Sequence, residues 1–300
     1  MIFFKLWRHD LRYGLSKRLL LYLLVAFGQA FLFCKGFSNW IGNMSGLPEI
    51  GELSDTFGNY LIYLFQGMDE YVATPDKAFE FPAMWILIFL CGNALTLTYP
   101  LRDLEGVGQQ LLIRSGRRRH WWLAKCGWEI VSSIVYLLLL WLGVLCYCAI
   151  FQIPITLEIN EWLVSVMASW EVASPLNPGE VWLWLIAGPM LFMILLNLVE
   201  LAVGLLLGTI WGFTADCVIL LLSAYWMNPW LPGNYVMFLR SRWLIPETGM
   251  ALSQGIWLML AGSLCMILIG GIFFSRKDIL NSHARTLGTT INETVQAIGY

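Results

Sequence analysis

Six stretches of the chain are apolar almost without interruption: 19–33, 83–99, 126–151, 181–211, 217–227 and 250–274. A helix needs about 20 mostly apolar residues to cross a hydrocarbon core about 30 Å thick. The third and fourth stretches exceed that length. The fifth is short by itself and must borrow 212–216 or 228–231 to cross. The pattern predicts an all-α membrane protein, a single polytopic domain over 1–300 with six transmembrane helices.

The intervening segments carry weaker patterns. In 1–18, Phe4, Trp7, Leu11 and Leu15 fall at helical spacing among Lys5, Arg8, Arg12, Lys17 and Arg18. Such a helix lies in the headgroup plane, held by apolar burial and anionic lipid. The segment 35–82 predicts one helix at 54–68. The segment 152–180 predicts an amphipathic helix at 158–170, through Ile159, Trp162, Leu163 and Val166, ended by the proline-rich run 174–179. Residues 228–249 are apolar and aromatic but broken by Pro229, Pro232 and Pro246. That suits a re-entrant element, because irregular backbone at membrane depth persists only where protein or water satisfies it.

One polar pair interrupts the fourth span. Asn197 and Glu200 lie in a run of Leu, Ile, Met and Val. Glu200, Gly204, Gly208 and Gly212 recur every four residues and are expected on one face, where glycine permits close helix contact. An ionisable group in a spanning helix is costly and faces a bundle interior or a cavity. Glu200 therefore either lines a pathway or packs, hydrogen-bonded, against a neighbouring helix. Pro189 is a candidate kink in the same span.

Charge changes the picture by giving the spans a direction. The chain is 58% hydrophobic and 13% charged, against about 25% charged in soluble domains. The net charge of −2 is uninformative; its distribution is not. The N-terminal arm holds Lys5, Arg8, Arg12, Lys17 and Arg18, the segment 100–125 holds Arg102, Arg114, Arg117, Arg118, Arg119 and Lys125, and the tail 275–300 holds Arg276, Lys277 and Arg285. Acids dominate 35–82, and 152–180 contains four glutamates with no Lys or Arg. The positive-inside rule makes the basic segments cytoplasmic. Both termini are then cytoplasmic in a multi-pass protein of the plasma membrane. The first span, with no small-residue cleavage pattern after it, reads as an uncleaved helix.

Tryptophans near the span ends read as an aromatic belt. Trp7, Arg117, Arg118, Arg119, Trp121 and Trp122 are the expected anchors at the cytoplasmic headgroups, and this setting argues against a nucleic-acid role for the arginine run. The seven cysteines sit in or beside apolar spans without a CxxC pair, so they read as packing residues rather than disulfides or metal ligands. The chain has no phosphate-binding GxxxxGK[ST] loop, no HExxH and no GxSxG elbow. It is expected to be neither an ATPase nor a hydrolase, with no metal site.

The segment after span two reads RDLEGVGQQLLIRSGRRRHWWLAK. Leu104, Val107, Leu111 and Ile113 give a weakly amphipathic helix with Asp103 placed to cap it. Gly106 and Gly108 weaken it. Here the chain resembles the ABC-2-type transporter permeases. Those have six spans, cytoplasmic termini, an N-terminal amphipathic helix and an E-x-x-x-G-T-x-x-x-L-L coupling helix before a basic return into span three. The resemblance implies that Asp103, Glu105, Gly106, Gln109, Leu111 and Arg114 contact a separate ABC ATPase subunit. It implies a second permease chain, no cofactor on this chain, and MgATP on the partner. The exit of span six, FFSRKDIL, and the proline-rich stretch after span five are also similar to that family. The implied function is the permease of an ATP-driven exporter for an amphipathic, lipid-like or peptide substrate. The alternative is a non-transporting sensor, immunity or scaffold protein. Asn197, Glu200, Gly204 and Gly208 are the candidate pathway or packing residues.

Overall fold

A computed structural model describes residues 2–44, 55–72, 79–106, 108–110, 112, 118–156, 158–168 and 176–276. Among them the chain is all-helical, with no strand and one isolated bridge between Ser241 and Met250. The helices are α1 (Ile2–Asp10), α2 (Leu19–Met44), α3 (Phe57–Leu64), α4 (Ala83–Thr96), α5 (Tyr99–Glu105), α6 (Arg118–Ile150), α7 (Glu161–Ala168), α8 (Pro178–Leu207), α9 (Thr209–Tyr225) and α10 (Leu252–Arg276). Five helical stretches are long and apolar enough to cross a membrane: Phe3–Met44, Ala83–Glu105, Arg118–Ile150, Pro178–Leu207 and Leu252–Arg276. This is a multi-pass membrane protein.

The expected fifth span corresponds to α9, which has only 17 residues. It is paired closely with α8. Gly208, at φ +115°, ends α8 in a conformation that L side chains rarely adopt. The chain then reverses, and Gly212 lies where a Cβ would meet the Glu200 carbonyl oxygen at 2.7 Å and Gly204 Cα at 3.2 Å. The glycine repeat thus does not form one continuous face. Gly204 and Gly212 meet across a hairpin for which Gly208 is the bend. Pro189 sits inside α8 without ending it.

The N-terminal arm also differs from expectation. Residues 11–15 form a π-helical turn and 16–18 a 3-10 turn, so α1 leads into α2 through continuously helical backbone. Leu6, Asp10, Gly14 and the expected Leu15 are buried, while Phe4 is 66% exposed. α1 packs on α6: Trp7 lies over Gly127, and Gly14 admits Tyr99 and Trp128 where a Cβ would stand. A helix in the headgroup plane would bury an apolar face in lipid; this one buries an aspartate in protein.

α2, α6 and α9 run one way and α4, α8 and α10 the other. Their pairings fix this: Arg18 meets Leu95 while Gln29 meets Leu87, and Tyr136 meets Ile88. One end of the bundle gathers α1, α5, the start of α6, the α8–α9 bend and the end of α10 around Leu6, Leu112, Trp121, Trp122, Leu205 and Phe274. We call it the basic end, because it carries Arg8, Arg12, Arg18, Arg102, Arg118, Arg119 and Arg276.

The opposite end is a cap. α2 continues to Met44, so 35–44 is helix rather than outer loop. The helix expected at 54–68 is α3, capped by Thr56 and wholly buried rather than surface-lying, apart from Tyr63. Thr56 Oγ1 donates to the Glu158 carbonyl (2.6 Å), and Asn160 N donates to Asn59 Oδ1 (3.1 Å), which ties α3 to the strip before α7. Residues 235–240 are buried and irregular, with 3-10 turns at Pro232–Val236 and Phe238–Arg240. Their backbone is satisfied by protein: Trp85 and Trp184 indoles donate to the Val236 and Tyr235 carbonyls, and Phe238 N and Leu239 N donate to Phe65 and Gln66. That is the condition under which irregular backbone tolerates burial.

Candidate functional site

The basic end is organised around a buried lysine. Lys125, on α6, is 1% exposed. Its Nζ lies 2.5 Å from Asp10 Oδ1 on α1 and 2.7 Å from Asp103 Oδ2 on α5. Tyr99 donates its hydroxyl to Asp10 Oδ1 at 2.8 Å, and the ammonium also faces the Tyr99 and Trp121 rings at 4.6 and 5.0 Å. A buried charge is tolerated only with close partners of opposite sign and satisfied hydrogen bonds. The triad therefore fixes three elements to each other. His9, Asp10 and Asp103 bring three potential metal-ligand atoms within 4.8 Å of one another. The Lys125 ammonium already stands between the two carboxylates and supplies the positive charge there.

Asp103 therefore does not cap a helix start. α5 begins at Tyr99, with Thr98 before it and Pro100 in its first turn, and Asp103 lies well inside it. The expected helix over 103–113 is divided: α5 stops at Glu105, Gly106 turns, and 108–110 and 112 are helical again. Gly108 permits this fold-back, since a Cβ there would strike the Asp103 carboxylate. The segment has two faces. Asp103, Leu104 and Leu112 turn toward α1, α6 and α8, while Arg102, Glu105, Gly106 and Gln110 are exposed and Gln109 is half-buried. Leu111, Arg114 and Arg117 lie outside the described residues.

The expected headgroup anchors divide as well. Trp121 and Trp122 are 1% and 2% exposed. Both stack on Phe274, and the Trp122 indole donates to the Ile267 carbonyl at 2.8 Å, against Gly270. They join α6 to α10 inside the bundle. Trp7 is half-buried, stacked on Phe3. Arg118 donates to the Ser275 carbonyl (3.2 Å), and Arg119 is exposed. Tryptophans next to an arginine run look like an anchor in sequence; the helical phase of α6 turns these two inward.

One turn beyond Lys125 begins a second polar region in the bundle interior. Glu129 (α6), Glu200 (α8) and Asp216 (α9) are 1%, 3% and 0% exposed. Glu200 and Asp216 face each other across the α8–α9 hairpin, close enough to interact electrostatically. Asn93 on α4 donates from Nδ2 to Asp216 Oδ2 at 2.9 Å. Asn197 donates to Ser133 Oγ (2.7 Å), Ser133 to the Glu129 carbonyl (2.8 Å), and Thr96 to the Asn93 carbonyl (2.9 Å), with Asn197 Oδ1 at 3.3 Å. Asn93 Oδ1, Glu129 Oε2, Glu200 Oε2 and Asp216 Oδ1 have no hydrogen-bond partner among the described residues. All four are oxygens, so the cluster is short of donors. Chemically, the region can hold protons and exchange them between neighbouring acids.

Asn197 and Glu200 thus do meet polar partners inside the bundle, and Gly204 lies beside them under the bend at Gly208. Glu129, Asp216, Asn93 and the Asp10–Lys125–Asp103 triad were not singled out from the sequence. Glu129 had a signal: an acid four residues after a lysine within an apolar run. Asp216, in TADCVILLL, had the same mark as Glu200. The chain matches no family model, no curated protein and no solved structure.

Proposed function

We propose that this chain is the permease subunit of an ABC-2-type exporter, driven by a separate ATPase subunit that docks on the segment 102–112 at the basic end. The observation that carries the reading is the two-sided construction of that segment. Its outer side presents Arg102, Glu105, Gly106 and Gln110, while its inner side is joined through Asp103 to Lys125 on α6 and Asp10 on α1. A push on the outer side is passed to three elements at once. The concentration of basic residues at this end makes it the cytoplasmic face under the positive-inside rule. The ATPase, carrying MgATP, shifts the equilibrium by contacting two states of the permease unequally. The assembly contains a second permease chain, and the cargo is an amphipathic, lipid-like or peptide molecule.

Purification of the chain from its own host's membranes, with any ABC ATPase that accompanies it, tests the reading. The two should co-purify, and Glu105→Arg should abolish permease-stimulated ATP turnover while leaving the thermal midpoint of the membrane subunit unchanged. A chain that purifies without an ATPase, together with a silent Glu105 change, would sink it.

The buried acids support a second reading, a proton-driven carrier. Here Glu200→Gln or Asp216→Asn removes transport, and collapse of the proton gradient stops it while ATP is still present. In the exporter reading transport follows ATP and survives the collapse.

A further inference from the structure

The cap end holds a cavity of about 420 Å³, lined by the strip after α3, the start of α4, Met167 of α7 and Leu239. Its size falls within the ordinary range for small-molecule sites, roughly 300–1,000 Å³. Two kinds of group meet there. The walls carry Tyr63, Tyr71, Phe81 and Trp85. Asp69, Glu70 and Glu80 supply three carboxyl groups. Among the described residues, Arg240 is a cation fully buried behind the wall, with its guanidinium committed to backbone and amide oxygens. Asp69 and Glu70 lie within its electrostatic reach. Among the described lining residues every charged side chain is acidic.

The geometry points to a site for an organic ammonium group, the cationic head of an amphipathic molecule, with its apolar part against the aromatic wall. Aromatic faces attract such cations, by about 0.5–2 kcal/mol per contact depending on desolvation. Carboxylates at the rim add a long-range attraction that salt weakens. An uncharged amphipath gains only the apolar part, and an anion is repelled. The wall is also well built. Trp85 is held by its hydrogen bond to the Val236 carbonyl, and Tyr71 is packed by Phe79 and Tyr225, so neither ring must be ordered when a ligand arrives. The inference deepens the exporter proposal by naming a cargo chemistry at its outer end, and rests on it only for the word cargo.

Binding to the purified chain alone, in a neutral maltoside detergent, tests it without any ATPase. The probes are a fluorescent long-chain alkylammonium and its hydroxyl-headed analogue, and an amphipathic peptide with lysines and its Lys→Gln counterpart. The expected result is that at least one cationic probe binds about tenfold more tightly than its uncharged twin. That preference should shrink in Glu70→Gln/Glu80→Gln and with added salt. Met84→Trp, which fills the cavity, should abolish binding while the thermal midpoint holds. Preference for the alkylammonium alone marks a lipid-like ligand; preference for the lysine peptide alone marks a peptide. Equal binding of charged and uncharged probes overturns the inference. So does cationic binding that persists in Met84→Trp. If the ATPase fails to co-purify but these contrasts hold, the site stands and the exporter reading falls.

Discussion

The two ends of the bundle each bury one cation, and they satisfy it differently. At the basic end Lys125 faces two carboxylates on two other helices. At the cap Arg240, 0% exposed, meets no carboxylate within ion-pair distance among the described residues. Its guanidinium instead donates to the carbonyls of Met68 (3.1 Å), Asp69 (3.0 Å), Ser223 (2.5 Å) and Ala224 (2.7 Å) and to Asn234 Oδ1. Ser223 and Ala224 close the last turn of α9, where unpaired carbonyls and the negative end of the helix dipole favour a cation. Burial lowers the Arg240 pKa from the usual arginine value to about 10, and Asp69 and Glu70 oppose the shift.

The contrast separates a fastening from a latch. Five directed bonds from one planar fork hold two pieces of backbone and the Asn234 side chain, and no rearrangement of side chains replaces them. A point charge between two carboxylates can lose one partner and keep the other. The cap is therefore built to stay closed. At the basic end Lys125 has one carboxylate from α5 and one from α1, so that the loss of either leaves the other.

The largest effect should come from Arg240→Ala. It strands four backbone carbonyls in the cap, and a loss of several kcal/mol is expected, since a buried acceptor left without a donor costs about 1–3 kcal/mol. The readout is thermal unfolding in detergent, with protease cutting near 66–70 as the local signal. Arg240→Lys should recover little of it, since lysine keeps the charge and loses the fork. Near-wild-type stability in Arg240→Lys would erase the distinction drawn here.

Lys125→Met comes next. It leaves Asp10 and Asp103 facing each other without a cation, again costing a few kcal/mol. Unlike the arginine cage it should be repairable. Adding Asp10→Asn and Asp103→Asn should restore much of the midpoint, because replacing a whole buried ionic group by neutral ones is often nearly neutral. If the triple variant is no better than Lys125→Met, the triad is not the source of the loss. Smaller still is Gly208→Ala, at the α8–α9 bend of the basic end. Its backbone, at φ +115° and ψ 157°, is of a kind essentially confined to glycine and costs another residue about 1–3 kcal/mol, and the change should lower the midpoint modestly without loosening either cation.

Much of this architecture was legible in the sequence, because hydropathy and length are local. The apolar stretches locate α2, α4, α6, α8 and α10, and the uneven spread of Lys and Arg matches the division between the ends. What escaped depends on contacts distant in sequence. Asp10 and Lys125 are 115 residues apart, and nothing in their neighbourhoods pairs them. Arg240 is the centre of the cap, yet the Met68 and Asp69 carbonyls that it binds are 172 and 171 residues away in sequence. Trp121 and Trp122 looked like headgroup anchors by composition, yet the phase of α6 turns both inward. The glycine repeat through Gly212 was read as one face because a fourfold spacing carries no sign of the reversal at Gly208.

The shortness of α9 has an effect beyond the protein. At 17 residues and 1.5 Å per residue it is about 25 Å long, below the roughly 30 Å of an average hydrocarbon core. Its partner α8, with 30 residues, has length to spare. A crossing by α9 would require lipid beside Ile210, Trp211, Val218 and Leu221, the exposed side of α9, to thin locally or the helix ends to draw polar groups inward. The hairpin thus has one long arm and one short one, and on a crossing by both the mismatch with acyl-chain length falls on α9 rather than α8.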